Sequence, residues 1–167
     1  LEGNKSCHSP VASGNRRFVT ATPLPRRARP SAGDLLLLAE GLATLVGASV
    51  AIRLLPFRRL AAAASRGAAS PGPAPEDARL RKLRWAVEAW GRRVPWRAVC
   101  FQRGLAFHIM LRRRGIDSRL HYGVSPVGEV GLSAHVWISV AGRTWLGGEE
   151  APRFALLATF PDDRAQA

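Results

Sequence analysis

The sequence predicts an α+β domain in which helices come first and a small antiparallel sheet follows. Three observations carry this. Residues 75–93, "PEDARLRKLRWAVEAWGRR", place Leu80, Leu83, Val87 and Trp90 at spacings of three and four, the inward stripe of a packed helix. Residues 101–111, "FQRGLAFHIML", are apolar on most sides, as a central buried helix is. Residues 134–140, "AHVWISV", set Val136, Ile138 and Val140 on one face against His135, Trp137 and Ser139 on the other. The Ala141-Gly142 turn and "RTWLGG" after it complete a hairpin.

The elements follow in order. Residues 1–33 read as a basic tail with Pro, Gly and Ser throughout and no lasting period. The domain then runs over 34–161, with N-terminal helices at 34–66, a linker at 67–75 and a core unit at 76–161; 162–167 form a C-terminal tail. Asp34 is placed as the cap of a long apolar helix ending before Pro56. Glu40, Arg53 and several small residues interrupt that run. It therefore reads as a buried or surface-docked helix in preference to one in contact with a membrane. "PFRRLAAAASRG" gives a short second helix. In the third, Glu76 and Asp77 suit the N-terminus and Arg92 and Arg93 the C-terminus, and Trp85 and Trp90 are placed in the core. Pro95 is expected at or just before the first turn of the fourth helix. Arg112, Arg113 and Arg114 close it, with Gly115 as C-cap. "SRLHYGV" is the first strand. "RFALLATF" is a short apolar segment without an assigned strand.

Composition narrows the class. The 167 residues are 47% hydrophobic, enough for a real core, and the net charge is +13, almost all from arginine. Such a balance fits acidic partners or simply the arginine-rich usage of a high-GC genome. Cys7 and Cys100 are the only cysteines, in unlike contexts. No disulfide framework and no thiol-based zinc site is expected, and a reducing cytoplasm fits best. No cofactor or metal is implied: there is no phosphate-binding glycine loop, no dinucleotide fingerprint, no HExxH and no EF-hand loop. No nucleic-acid motif accompanies the Trp and Arg residues.

Cys100 follows Trp96 by four residues, at the start of the central helix. The unpaired N–H groups there favour thiolate over thiol and can form part of an oxyanion hole. Arg97 and Arg103 add positive charge. By itself, Cys100 reads first as a buried, inert thiol and second as a nucleophile. A nucleophile needs a base. His8 lies in the tail. His108 is eight residues further along the same helix, about 12 Å along the axis. His121 lies on the first strand. His135 lies on a strand whose opposite face is aliphatic, so it faces whatever covers the sheet, with the Cys100 helix as the expected cover.

The third member would hold the imidazole in its working tautomer. A two-residue turn at Ala141-Gly142 sets His135 opposite Gly148 and puts Glu150 on the same face as its diagonal neighbour. A three-residue turn would favour Glu149 instead.

Several of these stretches resemble a known family. P-W-R-x-x-C, the R-R-R-G-I helix end, A-H-x-W on a strand and G-G-x-E-x-x-R-F are similar to the leader peptidases of lasso-peptide biosynthesis. Those enzymes sit in the transglutaminase-like, papain-like cysteine protease superfamily. The resemblance covers about residues 34–161. It implies Cys100 as nucleophile, His135 as general base, and Trp96 and Trp137 on the substrate side. Many members carry an Asp about twelve residues after the His, where this chain has Gly147; the acid stays open between Glu150, Glu149 and another such as Asp117. The implied function is removal of the leader from a ribosomally made precursor peptide. The implied partners are that leader, a separate leader-recognition protein and an ATP-dependent macrolactam synthetase. Alternatives are another transglutaminase-like acyl transferase and a non-catalytic basic adaptor.

Overall fold

The computed structural model describes residues 30–65, 75–96, 99–127 and 131–161. Four helices precede the sheet: α1 (Ala32–Leu54), α2 (Phe57–Ser65), α3 (Asp77–Gly91) and α4 (Cys100–Arg112). Strands β1 (Arg119–Val127), β2 (Gly131–Val140), β3 (Arg143–Leu146) and β4 (Ala155–Phe160) form one antiparallel sheet in the order β3-β2-β1-β4. This is the expected α+β arrangement with one strand added. "RFALLATF" returns as β4 on the far side of β1, where Leu156 and Leu157 stay exposed at a sheet edge. Most of the expected tail at 1–33, the linker at 67–75 and the tail at 162–167 lie outside the described residues.

Local chemistry explains where the helices begin. Ser31, and not Asp34, caps α1. The Ser31 hydroxyl accepts the Asp34 N–H at 3.1 Å, and the Asp34 carboxylate accepts the Ser31 N–H at 3.1 Å. This reciprocal capping box needs a hydroxyl and an acid three residues apart, so the acid sits inside the first turn. Pro95 stands in a bend before α4, and the helix begins only at Cys100. Val99 is extended there, and its N–H donates to the Gln102 side-chain carbonyl at 2.8 Å. At the other end Gly115 takes a φ of +68°, and the Ile116 N–H donates back to Leu111 O at 3.1 Å. Only glycine adopts that reversal without strain.

α4 is the spine of the core. It packs against α1, α3 and β2, and Leu105, Ala106, Phe107, Met110 and Leu111 are buried on it. Val136 and Ile138 reach it from β2. A Cβ on Gly104 would stand 2.6 Å from Val136 Cγ1, so the missing side chain sets how closely helix and sheet approach. Leu80, Leu83 and Val87 of α3 are buried as the spacing predicts. Trp90 donates its indole N–H to Leu38 O at 2.8 Å, tying α3 to α1. Trp85 is a correction: it lies on the outer face of α3 and is 40% exposed. The Ala141-Gly142 turn has positive φ at both residues, as a two-residue hairpin turn requires.

His108 is a structural histidine. Its Nε2 donates to Ala64 O at 3.0 Å, so Nδ1 accepts from the Ser118 hydroxyl at 2.9 Å. Burial lowers its pKa from 6.5 to about 4. The unfolded chain therefore binds this proton at a higher pH than the folded one. Stability from this group is fully present above pH 6.5 and is lost as pH falls toward 4. The expected loss over that window is about 3 kcal/mol. Urea denaturation at a series of pH values measures it. His108→Gln should flatten the dependence, and an unchanged slope would remove His108 as its source.

Candidate active site

The first residue of α4, Cys100, opens into a cleft of about 320 Å³ at the edge of the sheet. Its lining includes His135 and Ala134 of β2, Gly147, Glu149, Glu150 and Phe154 beyond β3, Arg103 of α4, and Arg84 and Glu88 of α3. Cys100 is partly exposed, and its Sγ lies 3.8 Å from Ala134 O. Gln102 caps the Val99 N–H at the start of α4, and the Cys100 N–H is among those a helix cannot satisfy internally. The structure thus places the thiol and an imidazole on one cleft, beside a helix start.

The route by which His135 arrives differs from the sequence reading. α4 covers the Val136 and Ile138 face of β2, not the face that carries His135. The imidazole lies on the opposite face, 94% buried, in an aromatic layer. Its ring centroid is 5.0 Å from that of Phe154 and 6.2 Å from that of Trp137, both nearly parallel to it. It meets the cleft because the end of β2 runs past the start of α4, as the Sγ contact to Ala134 O shows.

Hydrogen bonding assigns the ring. A carbonyl only accepts, so Nε2 donates its proton to Gly147 O, at 2.8 Å. In the neutral ring Nδ1 then keeps the lone pair. Gly147 has a φ of +71°, and a Cβ there would stand 2.5 Å from Val136 O and 3.2 Å from His135 Nε2. The glycine is what lets a backbone carbonyl approach the imidazole.

The ladder between β2 and β3 departs from the expected register. Val140 pairs with Arg143 and Ser139 with Thr144, as a two-residue turn dictates. A bulge then shifts Ile138 to Leu146, and β3 ends there. His135 therefore has no partner at Gly148, and the diagonal argument for Glu150 does not apply. The Glu150 carboxylate nonetheless stands 3.7 Å from His135 Nδ1, beyond hydrogen-bond distance, with its side chain 64% exposed. Glu149 also lines the cleft. Asp117 is elsewhere, paired with Arg112 at 3.2 Å.

The remaining candidates are spread out. Trp137 stacks between His135 and His121 and is not among the lining residues. Trp96 donates its indole N–H to the Ser49 hydroxyl at 3.2 Å, fastening the segment before α4 to α1. His121 has both ring nitrogens engaged, with Thr159 at 3.0 Å and Ser139 at 2.8 Å. Burial, helped by nearby Arg119, lowers its pKa. His8 and Arg97 lie outside the described residues. Among the described residues, no group of three His, Cys, Asp or Glu side chains is placed to hold a metal.

Sequence reasoning missed the Gly147 carbonyl, Phe154 and the α3 wall. Every residue has a carbonyl, so residue type does not mark the one that matters. The pointer was the glycine pair directly after a short strand, a place for close backbone approach. On the α3 wall Arg84 and Glu88 form an ion pair at 2.8 Å. The stem of Arg103 lies over Gly91, where a Cβ would come within 2.7 Å of Arg103 Cδ.

A family model described as transglutaminase-like superfamily matches residues 42–159, more than half of the chain. Comparison with curated proteins and with solved structures gave no match. The matched span holds Cys100, His135 and Gly147, and the four helices with a four-stranded antiparallel sheet agree with such a fold. The chain therefore belongs to the transglutaminase-like superfamily, which points to cysteine protease or acyl-transfer chemistry as its class of activity.

Proposed function

We propose that the chain is a cysteine peptidase that removes the leader from a ribosomally made precursor in lasso-peptide maturation. The observation that carries the chemistry is the shared cleft of Cys100 and His135, with His135 Nε2 donating to Gly147 O. That bond leaves Nδ1 as the basic nitrogen. The leader assignment rests on the P-W-R-x-x-C, A-H-x-W and G-G-x-E-x-x-R-F stretches.

In this reading Nδ1 takes the Cys100 thiol proton, and Sγ attacks the carbonyl carbon at the leader–core junction. The oxyanion forms beside the start of α4, where the Cys100 N–H is a donor. Collapse breaks the C–N bond, and the imidazolium returns its proton to the departing core amine. Water, deprotonated by His135, then hydrolyses the thioester, releasing the leader carboxylate and restoring the thiol. Gly147 O acts as the orienting acceptor that the resemblance assigns to an aspartate. Glu150 stands 3.7 Å from Nδ1 at the open side of the cleft. Trp137 and Phe154 hold the imidazole plane from the two flanks.

The partners in this reading are the precursor, a separate leader-recognition protein and the macrolactam synthetase that uses the freed amine. The test incubates the purified chain with precursor and recognition protein and reads the products by mass spectrometry. Two fragments that together weigh one water more than the precursor are expected. A product joined to an added primary amine, with no hydrolysis, would replace peptidase by acyl transferase.

A further inference from the structure

α1 is largely apolar, yet among the described residues the body of the protein covers only one side of it. Gly41, Thr44, Leu45, Ala48 and Ser49 are buried against α3 and α4. Leu36, Ala39, Ala43, Val46, Val50 and Leu54 are exposed. At 3.6 residues per turn these six fall on one continuous stripe along a helix of about 35 Å. Leu36 is 74% and Leu54 75% exposed, so the stripe is open at both ends. By length and composition α1 would even suffice to cross a membrane.

Charge on and around α1 is sorted. Its two acids are turned toward the body: Asp34 pairs with Lys82 at 3.1 Å, and Glu40 holds the Arg114 guanidinium in a two-pronged bond. The Arg114 contact keeps the Glu40 carboxyl below its ordinary pKa. Basic residues gather at its C-terminal end, where Arg53, Arg58 and Arg59 are exposed.

We propose that α1 lies along an anionic membrane surface, with its outer stripe in the headgroup–acyl boundary and Arg53, Arg58 and Arg59 among lipid phosphates. Interfacial helices combine these features: an uncovered apolar face, a basic flank and no acid toward the lipid. Spanning is excluded by the packing, because the inner face carries the Glu40–Arg114 pair and the core. A second copy is disfavoured, since each chain carries a net charge of +13. The sequence favoured a buried or docked helix over membrane contact; α1 is docked on α3 and α4, and the proposal adds a membrane contact on its open outer face.

The test is flotation of the full chain with vesicles of phosphatidylcholine alone or mixed with phosphatidylglycerol. Binding to the mixed vesicles that falls with added salt is expected, with little binding to the neutral ones. The triple variant Val46→Ser, Val50→Ser, Leu54→Ser changes only exposed positions and adds no charge. It should weaken binding by about tenfold or more. Arg58→Gln with Arg59→Gln should weaken it as well. Equal binding to both vesicle types, or wild-type binding by the triple variant, would overturn the proposal. So would a stripe-dependent dimer, or a stripe that binds the recognition protein and not vesicles.

Discussion

Cys100→Ala should end leader release. Loss of the nucleophile removes the acyl-enzyme route entirely, and the expected fall in kcat is about four orders of magnitude or more. The fold should survive, because Cys100 is partly exposed at the first position of α4 and alanine is a good helix former. Two readouts separate chemistry from folding. Thermal melting should shift little. A thiol-directed electrophile matching the cleavage site should label the native chain at Cys100 and fail to label the variant. Turnover by a well-folded Cys100→Ala protein would sink the thiol mechanism. The adaptor alternative predicts neither labelling enhanced by His135 nor any turnover to lose.

Gly147→Ala should produce the second largest loss, although the wild-type residue has no side chain to contribute. The new methyl group would sit 2.5 Å from Val136 O on a backbone with φ of +71°. The loop must move, and the carbonyl that accepts the His135 Nε2–H moves with it. A histidine in the wrong tautomer loses most of its value as a base, so kcat should fall by about a hundredfold or more. KM should change less, and the pH–rate profile should shift, which simple loosening of the fold would not cause. Glu150→Gln is the contrast. The carboxylate is 3.7 Å from Nδ1 and mostly in water, so its removal should cost at most about fivefold. If the glutamine variant lost as much as the glycine variant, the orienting role would belong to Glu150. Should Gly147→Ala fail to fold, nitrogen NMR of wild-type imidazole still decides. It must show the proton of neutral His135 on Nε2.

Much of this site was legible as a list of residues and little of it as an arrangement. Cys100 was readable as a helix-start thiol because Pro95 and the apolar run 101–111 mark the boundary within a few residues. His135 was readable because the alternation of Val136, Ile138 and Val140 leaves it on the other face. The reason offered for its proximity to Cys100 was mistaken. α4 needs an aliphatic surface, and it takes the valine and isoleucine face; the imidazole and the thiol line one cleft at the sheet's edge. The acid showed the same limit. A ladder can be extrapolated only while it stays regular, and one bulge after Ser139 dissolved the pairing that selected Glu150.

The sequence by itself determined the helices, the hairpin and the aliphatic face of β2, because short-range periodicity and capping chemistry act within a few residues. It also named Cys100 and His135 as the candidate thiol and imidazole, with the family resemblance beside it. Only the tertiary structure decided which atom orients His135, since the Gly147 carbonyl is defined by where a loop bends and not by residue type. It likewise decided that α1, largely apolar, keeps one side open. Burial depends on how many neighbours a fold can bring to a helix, and here α3 and α4 cover one face only.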